Sequence, residues 1–532
     1  MAATFYASYL AAGMNGGPLY PVGFGARDER VTRTRAAAQR PLAPGLLARI
    51  AADNEPLGTS DAARRNLSAL AQPNVAVVVT GQQVGLCLGP LYSIFKAATA
   101  IAVARQLEAE SGMRCVPLFW LQTEDQDFDE IAACTIPRPD GELMTLRLDD
   151  DPELTRVPVA ERRIGAGLAP QLDALADALD ALPFAGETMA LLRAHYRAGQ
   201  SPARAFAGVL TAIFADDGLV VLDPRNEVVA GLAAPFMRAA IAEHDTIDAL
   251  LSERAQALAA AGFAEQVRTR PGSPLCFFHP AGARGPRQRL TRCSGGFAVD
   301  GSGEVVTEAE LLATLARDPL RFSSSALLRP LVQDTILPTA AYVGGPAEVS
   351  YFAQLAPLYA HFGMTPPMQA PRARFRLLPS HVRTLLQTLG LSAADVEGER
   401  EPLLARLAQP DGAHAQLPSP AWLAELEARF DELAASPDFT PALRKPLART
   451  RAAIHKNFGH LVRAHRHQLA TRDATLAARV DRLRRWIFPG DEPQERVHAA
   501  PYYLALVGPA ALGRALVAAV DPAHPQTQDL PL

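Results

Sequence analysis

Four stretches of this chain are apolar at nearly every position, and the segments between them are periodic. VAVVVT (Val75 to Thr80) and CVPLFWL (Cys115 to Leu121) read as strands buried on both faces. Between them, Leu91 to Leu107 carries apolar residues at helical spacing. Continuous apolar strands alternating with helices predict a parallel sheet covered on both sides. A right-handed crossover sets the carboxyl ends of both strands at one edge. The Gln82–Gln83 loop and the loop after Leu121 then face one crevice, where open α/β sheets bind ligands. GLVVLDP (Gly218 to Pro224) and TAAYVGGPAEVSYFAQL (Thr339 to Leu355) rejoin the sheet, the second as strand, Gly-Gly-Pro turn and helix. Two inserts interrupt this Rossmann-like α/β core of residues 1–378: a helical segment at about 151–215, and a Gly-, Pro- and Arg-rich module of short strands at about 265–322.

From Pro379 the period changes. Leu423, Leu426, Phe430 and Leu433 are spaced as heptad positions; after Pro437 and Pro441, Ile454, Phe458 and Leu461 continue, then Leu476, Val480, Leu483 and Ile487. Residues 379–488 are expected to form an α-helical coiled-coil arm suited to a homodimer. Its long helix, from Pro446 to Ile487, would run roughly 60 Å at 1.5 Å per residue. Residues 489–532 are expected to pack back on the core.

The 532 residues suggest about three units. A hydrophobic content of 48% suits a large core, and a net charge of −4 argues against nucleic acid as a partner. The N-terminal stretch lacks a basic segment followed by an apolar one, and no apolar run approaches the ~20 residues that span a bilayer. The five cysteines are odd in number and form no CxxC pair, which points to reduced thiols in the cytoplasm and away from a structural metal site.

Three loops carry candidate chemistry. VVVTGQQVGLCLGPLYSIFK (Val77 to Lys96) has strand, glycine loop and helix, but its glycine spacing is neither a dinucleotide fingerprint nor a P-loop. TEDQDFDE places Glu124, Asp125, Asp127, Asp129 and Glu130 at a helix start. One or two would be caps; five repel one another, and a substrate amine or Mg²⁺ would relieve that. YVGGPAEVSYF offers Gly344, Gly345 and Glu348, the last also a cap residue, with Arg329, Gln333 and Asp334 upstream. An ordinary buried Arg329–Asp334 pair is the alternative for two of these. His455, His460, His465 and His467 share a helix at gaps that scatter them over its faces, so they read as a solvated or dimer-facing surface.

TGQQVGLCLGPLYSIFKA, PLFWLQTEDQDFDEI, LLRPLVQDTILPTAAYVGGPAEVSYF and QERVHAAPYYLALVGP, in this order, resemble the cysteine-adding enzyme family of bacillithiol biosynthesis, over nearly the whole chain. The resemblance implies a Rossmann-like core with connecting inserts, a coiled-coil homodimer and a ligase joining the carboxyl of L-cysteine to the amine of glucosaminyl-malate. It also implies binding of adenine nucleotide (ATP or ADP). On that reading Glu124, Asp125 and Asp127 accept the amine proton or hold hydroxyls, with Gln82 and Gln83 beside them. Lys96, Arg329 and the Gly344–Gly345 turn meet the malyl carboxylates. Tyr502, Tyr503 and Arg496 either stack an adenine and meet its phosphates, or serve as core packing. The family more often carries His where this chain has Gln126, which cannot titrate; if that position is a general base in the family, this chain uses another group, and either the role is dispensable or this member has drifted in activity or substrate. The alternatives are another adenylate-forming or nucleotidyl-transferring enzyme on the same fold, or a non-catalytic dimeric nucleotide or sugar-thiol binding protein.

Overall fold

The Val75–Gln82 strand is the centre of a five-stranded parallel sheet in the order Met368–Pro371, Thr339–Gly344, Val75–Gln82, Arg114–Leu121, Val220–Leu222. The structure, a computed structural model, describes residues 4–408, 420–472 and 474–532. They divide into two units: one of residues 1–375 and 495–530, the other of residues 376–494 with the last two residues. The division therefore falls after Phe375, and residues 489–494 stay with the second unit.

In the first unit, residues 75–81 are buried on both sides, as their unbroken β-branched run requires. The Arg114–Leu121 strand pairs with this strand along its whole length, from Val75 opposite Arg114 to Gln82 opposite Leu121. The Tyr92–Ser111 helix joins them and is buried over most of its circumference. Its alanines let it lie close to the sheet, and it ends where Gly112 takes φ 72°, a left-handed cap whose N–H donates to the Glu108 carbonyl. After the central strand, the chain adds strands first on one side and then on the other. That reversal makes the carboxyl edge between Val75–Gln82 and Thr339–Gly344 a topological switch point. The loop leading from Gln82 is tight: a Cβ on Gly85 would lie 1.9 Å from the Gly89 carbonyl oxygen, and Cys87 and Leu88 sit at φ 49° and 57°.

The first insert supplies the helices Leu168–Leu179, Ala185–His195 and Pro202–Ile213. The second is a five-stranded sheet, every pair antiparallel, running from Cys276–Phe278 to Phe322–Ser324, with the Glu308–Arg317 helix. Residues 495–530 pack in the first unit: the Ala499 N–H donates to the Thr135 carbonyl and the Leu91 N–H to the His498 carbonyl.

The second unit is helical. The helices Pro420–Ala435 and Arg444–Arg472 form an antiparallel hairpin in which Arg451 and His455 both reach Glu427, each at 2.9 Å. The heptad pattern splits in two. Val480, Leu483 and Ile487 are buried in this unit, whereas Leu426, Leu433 and Leu461 are exposed, Leu461 by 58%. The last three positions, Val480, Leu483 and Ile487, thus pack inside this unit and are not free to form a seam with a second chain. The side chains of His465 and His467 lie outside the described residues.

Candidate active site

At the carboxyl edge of the sheet lies a cavity of about 460 Å³, within the range of small-molecule sites. Gln82 and Gln83 reach it from the central strand, Glu124 and Asp125 from the neighbouring one, and Glu348 and Tyr351 from the Pro346–His361 helix. Arg287 and Ser324 come from the antiparallel insert. Trp120 forms part of its lining.

Glu124 lines this cavity, and its Oε2 accepts from the Ser324 hydroxyl at 2.9 Å. Burial raises its carboxyl above the ordinary range, against the pull of Arg225, Ser324 and Arg287. Asp125 accepts from Gln83 Nε2 at 2.8 Å and pairs with Arg287 at 3.2 Å. Arg287 stacks on Phe277, 3.8 Å from the ring centroid, and donates to the Ser324 and Glu124 carbonyls. The repulsion expected within TEDQDFDE is therefore offset by Arg287 and Arg225 of this chain. Asp127 is a cap: its Oδ1 accepts from the Glu130 N–H at 3.3 Å, and it does not line the cavity. The cap is the role that this placement gives it. Gln126 does not line the cavity either, and its Oε1 has no partner among the described residues.

Lys96 is also reassigned. It is 2% exposed, and its Nζ is saturated by the Gly81 carbonyl at 2.7 Å, Gln82 Oε1 at 2.8 Å and Glu348 Oε2 at 2.5 Å. It has no donor left for a substrate carboxylate. Burial by itself would raise Glu348, but Lys96, the Tyr342 hydroxyl and the Gly345 N–H hold it below the ordinary range. The same Gly345 N–H bond, at 2.9 Å, removes the anion-binding role expected of the Gly344–Gly345 turn, and neither glycine lines the cavity. Arg329 does line it, but donates to the Tyr351 hydroxyl at 2.7 Å and to Gln333 at 3.0 Å. Asp334 bonds Tyr359 and Gln333, so the anticipated Arg329–Asp334 pair does not form.

Tyr502 and Tyr503 are 2% and 0% exposed and meet edge to face at 5.4 Å; the Tyr503 hydroxyl lies 2.8 Å from His498 Nδ1. Both rings are covered by the protein, whereas Arg496 is exposed. These residues do not fit the nucleotide role, and the core-packing alternative describes the tyrosines. Cys276 lines the cavity as a neutral thiol, pushed up to about 12 by burial.

The sequence reading missed Arg287, Ser324, Tyr351 and the arginines of the 266–275 loop. Arg287 stands in an arginine-rich stretch with no distinguishing motif, and 162 positions separate it from Asp125. Only the tertiary fold joins them.

Residues 4–373 match the family described as bacillithiol biosynthesis BshC, N-terminal Rossmann-like domain. A relative from Koribacter versatilis is 34% identical over 86% of this chain and 84% of its own length. One from Salinibacter ruber is 34% identical over 72% of this chain and 70% of its own. One from Solibacter usitatus is 34% identical over 83% of this chain and 82% of its own. All three are named "Putative cysteine ligase BshC". A solved arginyl-tRNA synthetase from Thermus thermophilus aligns over 93% of this chain and 86% of its own at 12% identity, with a TM-score of 0.18, too low to carry an argument. With a family match over most of its length and relatives at this identity, the chain belongs to the BshC family of bacillithiol biosynthesis.

Proposed function

We propose that this protein is an amide-forming ligase that joins the carboxyl of L-cysteine to the amine of glucosaminyl-malate, producing bacillithiol. The observation that carries the reading is Glu124: a carboxylate of raised pKa, lining a cavity at the switch point of the sheet. An amine attacks a carbonyl only as the neutral base, and its proton has to leave as the C–N bond forms. A carboxylate whose pKa is moved toward neutrality accepts that proton better than an ordinary one. Gln82, Gln83 and Asp125 supply amide and acid partners for sugar hydroxyls. The cysteine carboxyl reacts as an acyl derivative activated by a co-substrate of the ATP class: the amine nitrogen bonds to the carbonyl carbon, the C–O bond to the activating group breaks, that group leaves with the electron pair, and the amine proton passes to Glu124.

The exposed apolar positions of the hairpin, Trp422, Leu433 and Leu461, favour self-association into a homodimer. Among the described residues no single helix is long and apolar enough to cross a membrane. A cytoplasmic setting suits a product that is a reduced thiol.

The test is reconstitution. Purified protein, L-cysteine and glucosaminyl-malate are incubated in desalted extract of a deletion strain, with and without ATP and Mg²⁺, and the thiol product is read by mass spectrometry. Formation of bacillithiol in the ATP arm alone, with AMP or ADP released in step with it, assigns nucleotide as a consumed substrate. Absence of the product in every arm, with intact substrates recovered, overturns the reading.

A further inference from the structure

The cavity carries an uneven distribution of cations. Of its five arginines, Arg287 is committed to Asp125 and two carbonyls, and Arg329 to Gln333 and the tyrosine hydroxyls. Arg268, Arg270 and Arg289 also line it, and among the described residues none of the three has a carboxylate within ion-pair distance. Burial and the neighbouring charge of Arg270 both disfavour the guanidinium of Arg289, with Asp300 a partial offset. Arg268, Arg270 and Arg289 are thus the cavity's uncommitted cations, open to the anionic groups of a ligand.

Arg289 stands in the Gln288–Cys293 strand, and the loop that bears Arg268 and Arg270 is fixed by polar side chains. Gln354, 2% exposed, accepts from the Val267 N–H at 2.9 Å and the Gln266 N–H at 3.2 Å, and donates to the Val267 carbonyl at 2.9 Å. Asp248 accepts from the Gly272 N–H at 2.5 Å, and the Ser273 hydroxyl donates to the Leu290 carbonyl at 2.9 Å. Arg289 is steadied by Phe277, 5.3 Å from the ring centroid. A fixed loop spends little ordering entropy when a ligand arrives.

We propose that Arg268, Arg270 and Arg289 form a subsite for a dicarboxylate, and that it takes the malyl end of the acceptor while the amine lies toward Glu124. The assignment of the malyl end rests on the ligase reading above; the subsite for a multiply charged anion stands on the arginines. Planar guanidinium groups match carboxylates in bidentate geometry, and three of them suit two carboxylates on a four-carbon unit. Inorganic phosphate or a nucleotide shares the anionic chemistry, so the experiment separates these sources.

Full-length protein is titrated calorimetrically with malate, methyl α-glucosaminide, inorganic phosphate and ADP, as wild type and as Arg268→Gln, Arg270→Gln and Arg289→Gln. Arg284→Gln, 90% exposed at its side chain and outside the cavity, is the control. Arg268 and Arg270 are exposed, so their variants retain the fold, and circular dichroism checks it. Malate affinity is expected to fall about tenfold per arginine and to weaken with added salt, with methyl α-glucosaminide and the Arg284→Gln control unaffected. In turnover the variants are expected to raise KM for glucosaminyl-malate more than they lower kcat. Malate affinity unchanged in all three variants overturns the proposal, as does ADP or phosphate binding that depends on these arginines when malate binding does not. Malate binding needs neither cysteine nor turnover. A wild type that binds malate through these residues but makes no bacillithiol sinks the ligase reading and leaves the subsite standing.

Discussion

Replacing Lys96 by Met tests whether the buried pair behind the cavity is as coupled as its geometry indicates. All three Lys96 donors are used inside the protein: on Glu348, Gln82 and the Gly81 carbonyl. Methionine keeps the length and apolar stem but leaves Glu348 without its counter-charge. Breaking a buried ion pair costs about 3–5 kcal/mol. Glu348 keeps its bonds from Tyr342 at 2.6 Å and from Gly345 at 2.9 Å, and its side chain is 15% exposed, so the low end, about 3 kcal/mol, is expected. Urea unfolding followed by Trp120 fluorescence, with Trp422 and Trp486 replaced by Phe, reports the first unit alone. The pH dependence has a definite sign. In the wild type the Glu348 pKa is depressed, so its stabilisation is complete above the ordinary Glu value near ~4.3 and is lost as pH falls through the folded value. In Lys96→Met burial dominates and the folded pKa is raised, so falling pH adds stability. The deficit of the variant should shrink between neutral and acid pH. A deficit below about 1 kcal/mol, or one that grows as pH falls, refutes the argument.

Glu124→Gln should lower turnover by roughly 10²-fold or more and remove the acid limb of the pH–rate profile, because activity rises with pH as the raised carboxyl loses its proton. The same variant should be no less stable than wild type at alkaline pH. A carboxyl whose folded pKa is raised contributes most stability at low pH and loses it as pH rises through the folded value; urea unfolding at two pH values checks this. Gln354→Leu removes the acceptor of the Gln266 and Val267 N–H groups, so the first unit should lose about 1–2 kcal/mol and the Gln266–Val267 amides should exchange faster by hydrogen–deuterium mass spectrometry. Tyr503→Phe removes the bond to His498 and should cost about 1 kcal/mol while leaving ADP affinity unchanged by calorimetry; a loss of ADP binding would return Tyr503 to a nucleotide site.

The sheet was legible where the residues are unambiguous: Val75 to Thr80 and Cys115 to Leu121 are too apolar and β-branched to be anything but interior strands, and both form as read. Met368–Pro371 escaped notice because four residues among prolines carry no period, and an edge strand tolerates the proline that would break a central one. The hairpin of Ala133–Pro137 with Leu143–Arg147 was hidden behind the acidic loop for the same want of length. In the site, the loops that follow strand ends were visible, since parallel topology dictates where they go. Which charges inside them stay free was not. Lys96 and Gly345 look like anion ligands until Glu348 is seen to occupy both. The unpaired cations come instead from an insert whose arginines have no motif, and only its docking on the sheet edge brings Arg287, Arg289 and Arg270 to Glu124 and Asp125.

The proposed synthesis of bacillithiol turns on Glu124 as the group that takes the amine proton. Thiol profiling of a deletion strain, with glucosaminyl-malate measured in the same extracts, tests it most directly. Bacillithiol is expected to disappear, glucosaminyl-malate to accumulate, wild-type protein to restore the thiol and Glu124→Gln protein not to, although it is present and folded. Bacillithiol that persists in the deletion strain without a second copy of the gene, or full restoration by Glu124→Gln, would contradict it.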